Sequence, residues 1–135
     1  MPHYYTVQEA NARLPELTKL LRQMQEYGQQ LAAIQTRVGA VQMAMRSNGQ
    51  HNPAEDELLA TAATQLEAGM RKALQTLSDW DIELKDLQRG LVDFPALRKG
   101  QPVYLCWELG EPEVAFWHDT TAGYAGRRPL DENLL

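Results

Sequence analysis

The chain has 135 residues, 13 Lys and Arg against 18 Asp and Glu, and a single Cys. This length allows one domain with a buried core, and one Cys excludes an internal disulfide. No stretch holds the roughly 18 apolar residues of a membrane span, and the N-terminus lacks a signal-peptide pattern, so we expect a cytoplasmic protein that does not enter membranes. Residues 101–126 contain acids but no Lys or Arg. That charge repels phosphate backbones, so no nucleic-acid partner is expected.

The first part of the chain has the pattern of a long amphipathic helix. Thr6 and Glu9 form a capping box that predicts a helix beginning at Val7. Pro15 predicts either a kink two turns into this helix or a later start. Apolar or small residues recur at heptad spacing, which is typical of helices packed lengthwise: Val7, Ala10, Leu14, Leu17, Leu21, Met24, Gly28, Leu31, Val38, Val41 and Met45.

A second helix follows a polar turn at residues 47–51. Asn52 and Pro53 are typical of a helix cap and a first helical position. The heptad residues of this helix are Leu59, Ala63, Leu66, Met70, Ala73 and Leu77. Residues 6–80 are therefore predicted to form a long antiparallel helical hairpin, resembling a coiled coil. A forty-residue helix spans about 60 Å, beyond the roughly 37 Å diameter of a globule this size. We expect self-association through the hairpin to cover its apolar seam, giving a homo-oligomer.

The remainder of the chain changes from helical spacing to alternation. Residues 81–119 predict a small antiparallel β-meander, and residues 120–135 an irregular C-terminal arm. The fold class is α+β, in one domain covering residues 1–135. The first expected strand begins near Ile82, and the second covers Gly90–Phe94 and is ended by Pro95. Two further strands are expected over Val103–Leu109 and Val114–His118.

The register of the last hairpin decides which side chains meet. If Leu109 lies opposite Val114, His118 shares a face with Leu105 and Trp107. A shift of one residue moves His118 to the face that carries Cys106. Either register puts aromatic side chains on both faces, so we expect helices to cover one face and the arm or a second subunit to cover the other.

Three polar residues of the meander are candidates for catalysis: His118, Asp93 and Glu113. Imidazole acts as an acid, a base or a metal ligand near neutral pH, and His118 with Glu113 is the expected pair for a divalent metal ion. The structural alternative is a His118 bonded to Tyr, Asp or backbone. Asp93 lies among apolar residues, which predicts either a buried ion pair or a base with a raised pKa. Cys106 is either an inert buried thiol or, in the shifted register, a nucleophile beside His118.

Glu111 and Arg127 are candidates for ligand binding. Arg127 belongs to the glycine-containing stretch of residues 123–128, whose amides and guanidinium groups suit an anion. The alternative is that the arm docks onto acids of the sheet. The leading functional hypothesis is a binding or scaffold module with a polar site on the meander. The alternative hypothesis is an enzyme that uses His118 with nearby carboxylates and a divalent cation.

Four segments carry a resemblance to a known family. They are YYTVQEANARLPEL, IELKDLQRGLVDFPALRKG, VYLCWELGEPEVAFWHD and AGYAGRRPL. With them the chain resembles the uncharacterised prokaryotic family called domain of unknown function 2203, whose most specific parts here are GLVDFPAL and LGEPEVAFWH. The resemblance covers nearly the whole chain and implies one continuous domain without implying an activity. The family pattern often has a base where this chain has Glu108, whereas Asp93, Glu111, Glu113, His118 and Arg127 fall on matching positions.

Overall fold

The computed structural model describes residues 3–49 and 52–134 and has the predicted α+β class. Two helices, α1 (Val7–Asn48) and α2 (Pro53–Asp79), precede a five-stranded antiparallel sheet. The strands are paired in chain order: β1 (Glu83–Asp86), β2 (Leu91–Arg98), β3 (Gln101–Glu108), β4 (Phe116–Asp119) and β5 (Arg128–Pro129). The chain divides into a sheet unit, Met1–Arg22 with Gln75–Leu135, and a helical unit, Gln23–Leu74. The single domain stays a prediction, and each unit is described separately.

The helix ends follow the capping pattern of the sequence. Glu9 N donates to Thr6 Oγ1 at 3.1 Å and Thr6 N donates to Glu9 Oε1 at 3.2 Å, which confirms the capping box. α1 continues through Pro15, so the later start is wrong; the cap and the buried Leu14 already hold the first turns in place. Asn52 Oδ1 accepts from the amides of Ala54 and Glu55, as predicted for the cap of α2. The predicted turn is only partly covered, because residues 50 and 51 lie outside the described residues.

The helical unit buries little of its apolar seam. Met24 and Ala73 are buried, whereas Leu31, Val38 and Val41 are half-buried and Met45 is exposed. Close approach of the helices depends on Gly69, because a Cβ there would lie 2.8 Å from a ring carbon of Tyr27. The unit therefore pairs its helices closely at one end and leaves apolar surface open along the rest.

The observed register of β3 and β4 is the shifted alternative. His118 lies opposite Tyr104, and Cys106 lies opposite Phe116 on β4 and Asp93 on β2. Because side chains alternate along a strand, these residues share one side of the sheet, which we call the polar face. The opposite side, called the core face, carries buried apolar residues: Val92, Phe94, Leu105, Trp107 and Trp117.

Strand β2 does not stop at Pro95, as the sequence had suggested, but continues to Arg98. The Pro95 carbonyl accepts from Tyr5 N at 2.7 Å. In an antiparallel strand, the N and O atoms of a residue point to the same edge, so the nitrogen of Pro95 also faces away from β3. Proline therefore removes no hydrogen bond between β2 and β3. The strands are joined by Lys99 and Gly100, whose φ values of 53° and 76° are typical of a two-residue hairpin turn.

The core face packs on the first turns of α1 within the sheet unit. Ala10, Leu17 and Leu21 are fully buried, and the Tyr5 ring contacts the Phe94 ring edge-to-face at 5.1 Å between centroids. Asn11 Oδ1 accepts from Val114 N at 2.7 Å, which fixes the helix to the chain leading into β4. One face of the sheet is thus covered by helix, as expected.

The C-terminal arm is more ordered than the sequence predicted. It forms a short 3-10 turn, Tyr124–Gly126, and the two-residue strand β5. Leu130 N donates to Ala115 O at 3.0 Å, so the arm is held along the outer edge of the sheet. Within the described ranges, neither helix combines the length and apolar character that a bilayer crossing requires.

Candidate metal centre on the polar face

Three neighbouring strands each contribute one polar side chain to a buried cluster. Asp93 on β2, Cys106 on β3 and His118 on β4 are 3%, 1% and 2% exposed. One ligand atom from each of them lies within 4.8 Å of the other two. Over residues 3–49 and 52–134 this is the one group of three or more His, Cys, Asp or Glu side chains with such an arrangement. The three side chains lie on one face because Asp93 is directly opposite Cys106 and because β4 adopts the shifted register.

The hydrogen bonds of His118 determine where its protons lie. Nδ1 is 2.8 Å from the Asp119 carbonyl oxygen, which can only accept, so Nδ1 carries a proton. Nε2 is 3.0 Å from Asp93 Oδ1. A bond at this distance needs one proton between the atoms, held either by an imidazolium or by a carboxylic acid. The pair therefore contains one shared proton and is neutral in total.

The surroundings of Asp93 disfavour its charged form. Burial raises the pKa of this carboxyl, and the neighbouring Glu83 carboxylate raises it further. The hydrogen bond from His118 and the charge of Lys85 act in the opposite direction. The sequence left open a structural ion pair or a base with a raised pKa; the carboxyl has both features, a raised pKa and a buried basic partner.

The thiol of Cys106 is protected against ionisation. Burial is the main cause that raises its pKa to about 12, and the negative charge of Asp93 adds to it. The guanidinium of Arg127 is the opposing influence. Cys106 therefore remains a neutral thiol at physiological pH unless a stronger positive charge binds beside it.

Slow alkylation of Cys106 is the first expected result. At pH 8 a thiol with this pKa is about 10⁻⁴ ionised, and the thiolate is the reactive form. We expect iodoacetamide to label the native protein at least a hundred times more slowly than the protein unfolded in urea. Mass spectrometry at timed intervals measures both rates, and equal rates would contradict the buried thiol.

Tyr104 and Glu83 cover this cluster on the side of β1. The centroid of the Tyr104 ring lies 5.6 Å from that of the His118 ring. The neighbouring Glu83 carboxylate is the main cause that raises the pKa of Tyr104 to about 12. Lys85 Nζ lies 3.1 Å from Glu83 Oε1 and 5.8 Å from the Tyr104 ring centroid.

Glu111 and Arg127, the predicted ligand-binding residues, are bound to each other. Arg127 Nη2 donates to Glu111 Oε1 at 2.9 Å and to the Cys106 carbonyl at 3.3 Å. Its guanidinium stacks on the Phe116 ring at 4.0 Å and on the Tyr124 ring at 4.5 Å. These contacts dock the arm over part of the polar face, which is the structural alternative considered for this stretch. Their role in ligand binding stays a prediction.

Glu113 is exposed in the loop before β4. It lines a groove together with Asn11, Pro15 and Trp107, residues of the helix and of the core face. It is not part of the three-residue cluster with His118. Of the catalytic candidates, the structure therefore brings Asp93 and His118 together. Sequence reasoning had not considered Cys106 as a metal ligand; the shifted register, already one of two alternatives, was the signal that could have found it.

The helical pair, the antiparallel meander and the buried N/O/S cluster define a small α+β protein with a candidate metal centre. Over residues 3–130 the sequence matches the family described as "Uncharacterized conserved protein (DUF2203)", and the chain belongs to that family. No curated protein and no solved structure matches the chain. No cofactor is established for it.

Proposed function

We propose that the sheet unit is a metal-binding module that holds a divalent transition-metal ion between Asp93, Cys106 and His118. The observation that carries the proposal is the convergence of a carboxylate, a thiol and an imidazole, all buried, from three adjacent strands. A buried thiolate and carboxylate with a neutral imidazole carry two negative charges. A divalent cation neutralises them, which removes the cost of burying like charges together.

The hydrogen bond of His118 to the backbone suits metal binding. Histidine ligands commonly donate their second ring N–H to a carbonyl or carboxylate, which orients the ring and fixes the tautomer. Here Nδ1 donates to the Asp119 carbonyl, so Nε2 is the nitrogen directed toward Asp93. The metal would replace the proton that Nε2 and Asp93 share.

The donor set favours zinc and its neighbours over calcium or magnesium. Thiolate and imidazole are ligands for Zn²⁺, Co²⁺ and Fe²⁺, whereas Ca²⁺ and Mg²⁺ prefer oxygen. Three protein ligands leave a fourth position to water or another ligand in a tetrahedral site. The proposed class of cargo is therefore a thiophilic divalent ion.

Cobalt substitution tests the proposal directly. Reduced, metal-free protein is titrated with Co²⁺, and a thiolate-to-cobalt charge-transfer band is expected to saturate at one ion per chain. Zn²⁺ should abolish the band by displacement. Cys106→Ser should remove the band, and His118→Gln and Asp93→Asn should each weaken binding by at least tenfold.

Glu113→Gln is the matched control, because it neutralises an exposed carboxylate outside the cluster. It should leave the Co²⁺ affinity unchanged. A wild-type protein without a charge-transfer band, or a Cys106→Ser variant with an unchanged one, would refute the metal centre. A marked loss in Glu113→Gln would instead favour the His118 and Glu113 pair predicted from the sequence.

The enzyme hypothesis would need a substrate to reach the same residues. The side chains of His118 and Asp93 are only 3% and 4% exposed, which favours ion binding over direct contact with a larger substrate. The binding module is therefore the better-supported function.

The helical unit supplies a surface through which, we propose, two copies of the chain associate. A groove of about 460 Å³ is lined by these residues: Ile34, Val38, Val41, Gln42, Met45, Asp56, Leu59, Ala60 and Ala63. Its α1 and α2 walls belong to heptad seams, and a helical seam of the same period packs best against such a surface. A second copy carries that seam, and two hairpins together make a four-helix bundle.

A charge in the groove should prevent this association. Val41→Glu is expected to convert a dimer to a monomer in light scattering at micromolar concentration, because burying one carboxylate per chain without a partner is costly. Ala33→Glu is the matched control, since Ala33 is an exposed residue of α1 that does not line the groove. A monomeric wild-type protein would refute the proposal.

A further inference from the structure

One part of the C-terminal arm, residues 120–127, lies over the Cys106 end of the polar face. Cys106 and Phe116 are opposite each other on β3 and β4. The Arg127 guanidinium stacks on the Phe116 ring at 4.0 Å, and its Nη2 donates to the Cys106 carbonyl at 3.3 Å. Because the Phe116 ring belongs to the polar face, the guanidinium lies on this face beside Cys106. We call residues 120–127 the lid.

The lid is the part of the cover that can move away most easily. The neighbours of Cys106 within the sheet, Asp93 and Phe116, are held in place by the pairing of β2, β3 and β4. The lid lies outside these strands, and its 3-10 turn, Tyr124–Gly126, contains no buried residue. Segments with few buried contacts open locally at a lower free energy than paired strands do.

Two side chains attach the lid to the rest of the sheet unit. Arg127 Nη2 donates to Glu111 Oε1 at 2.9 Å, and the Tyr124 ring lies 4.2 Å from the Arg89 guanidinium. Among the described residues, however, the buried Nε of Arg127 finds no hydrogen-bond partner. A buried donor without an acceptor costs free energy, which water recovers when the guanidinium is released. Arg127 therefore holds the lid closed less firmly than its contacts alone would.

We propose that the lid opens and closes over the buried cluster, with Arg127 as its clasp, and that opening admits and releases the ion. The passage of the ion rests on the proposed metal-binding function. The closed lid keeps solvent from the three ligands, which are at most 3% exposed. Arg127 contacts Cys106 through its carbonyl oxygen, so opening leaves the ligand atoms in place. An ion bound equally well in both forms exchanges faster when the lid opens more often, at unchanged affinity.

Arg127→Lys separates the clasp from its charge. Lysine keeps a positive charge beside Glu111 but loses the planar fork that donates and stacks. We expect iodoacetamide to alkylate Cys106 of the metal-free variant roughly five- to tenfold faster than in the wild-type protein, the effect of losing about one hydrogen bond. In stopped-flow measurements of the cobalt band, the association and dissociation rates of Co²⁺ should rise by the same factor, with the affinity unchanged.

Arg128→Lys is the matched control, because it makes the same chemical change at the next residue. The Arg128 side chain is 61% exposed, and the residue lies opposite Trp117, whose side chain is on the core face. Its alkylation and cobalt rates should equal those of the wild-type protein. Hydrogen exchange followed by mass spectrometry locates the opening in the same full-length variants. It should be faster over residues 120–127 of Arg127→Lys and unchanged in β2 and β3.

Alkylation and cobalt binding together distinguish the lid from the metal centre. Faster alkylation in Arg127→Lys, together with a wild-type protein that binds no Co²⁺, would support the lid and overturn the passage of an ion beneath it. Unchanged alkylation in Arg127→Lys, with normal Co²⁺ binding in the wild-type protein, would overturn the lid while the metal centre stands. Equally fast alkylation in Arg128→Lys, or faster alkylation without faster exchange over residues 120–127, would also overturn the lid.

Discussion

His118→Leu is expected to lower the free energy of unfolding of the metal-free protein by about 3–5 kcal/mol at pH 7, the usual cost of removing one partner from a buried charged pair. The substitution leaves Asp93, which is 3% exposed, without the imidazole at 3.0 Å. It also removes the Nδ1 donor from the Asp119 carbonyl. Since domains are stable by roughly 5–15 kcal/mol, this loss is a large share of the total.

The double variant Asp93→Val with His118→Leu tests the cause. Replacing both members of a buried polar pair by apolar residues is often close to neutral, so the double variant should recover most of the loss. Urea denaturation gives the loss for His118→Leu, for Asp93→Val and for the double variant. His3→Leu is the control, because the side chain of His3 is 50% exposed and its change should stay within about 0.5 kcal/mol. Additive losses in the double variant would contradict the coupling between the two residues.

The helices and the class of the fold were predictable because local rules decide them. The capping box at Thr6, the cap at Asn52 and heptad spacing each depend on residues a few positions apart. Pro95 misled the strand prediction because its effect depends on which edge of β2 its nitrogen faces. That orientation follows from pairing with β3 and from Tyr5, and both partners are distant in sequence.

The members of the site were partly predictable, but their arrangement was not. Asp93 and His118 stood out as polar residues in apolar strands, and they are indeed hydrogen-bonded. The register of β4 could not be derived, since both alternatives placed aromatic side chains on both faces. The influence of Glu83 on Tyr104 was not foreseen, because it depends on the registers of two hairpins at once.

The polar face carries ionisable residues at buried positions, where apolar residues are the usual choice. A covered face usually excludes ionisable groups, yet this one holds Asp93, Cys106 and His118. On the core face, by contrast, Phe94 and Leu105 are fully buried among apolar neighbours. Local conflicts of this kind occur at functional sites more often than elsewhere, and this supports a role for the cluster beyond packing.

Binding of Zn²⁺ is expected to release two protons at neutral pH. One comes from the Cys106 thiol, whose pKa is raised to about 12, so the free protein holds this proton throughout the physiological range. The other is the proton shared by His118 Nε2 and Asp93 Oδ1. Because the metal competes with both, the apparent affinity should rise as pH rises, by about tenfold per unit from the thiol alone and more steeply wherever the shared proton is also displaced.

Calorimetry in buffers with different ionisation enthalpies counts these protons, and competition titrations at several pH values give the slope independently. Cys106→Ser provides the control, because a serine hydroxyl binds as a neutral group and any remaining affinity should be linked to one proton only. A slope of tenfold per pH unit in the wild-type protein would mean that His118 and Asp93 share no proton in the free state. The two measurements together therefore test both the thiol and the hydrogen-bonded pair as parts of one centre.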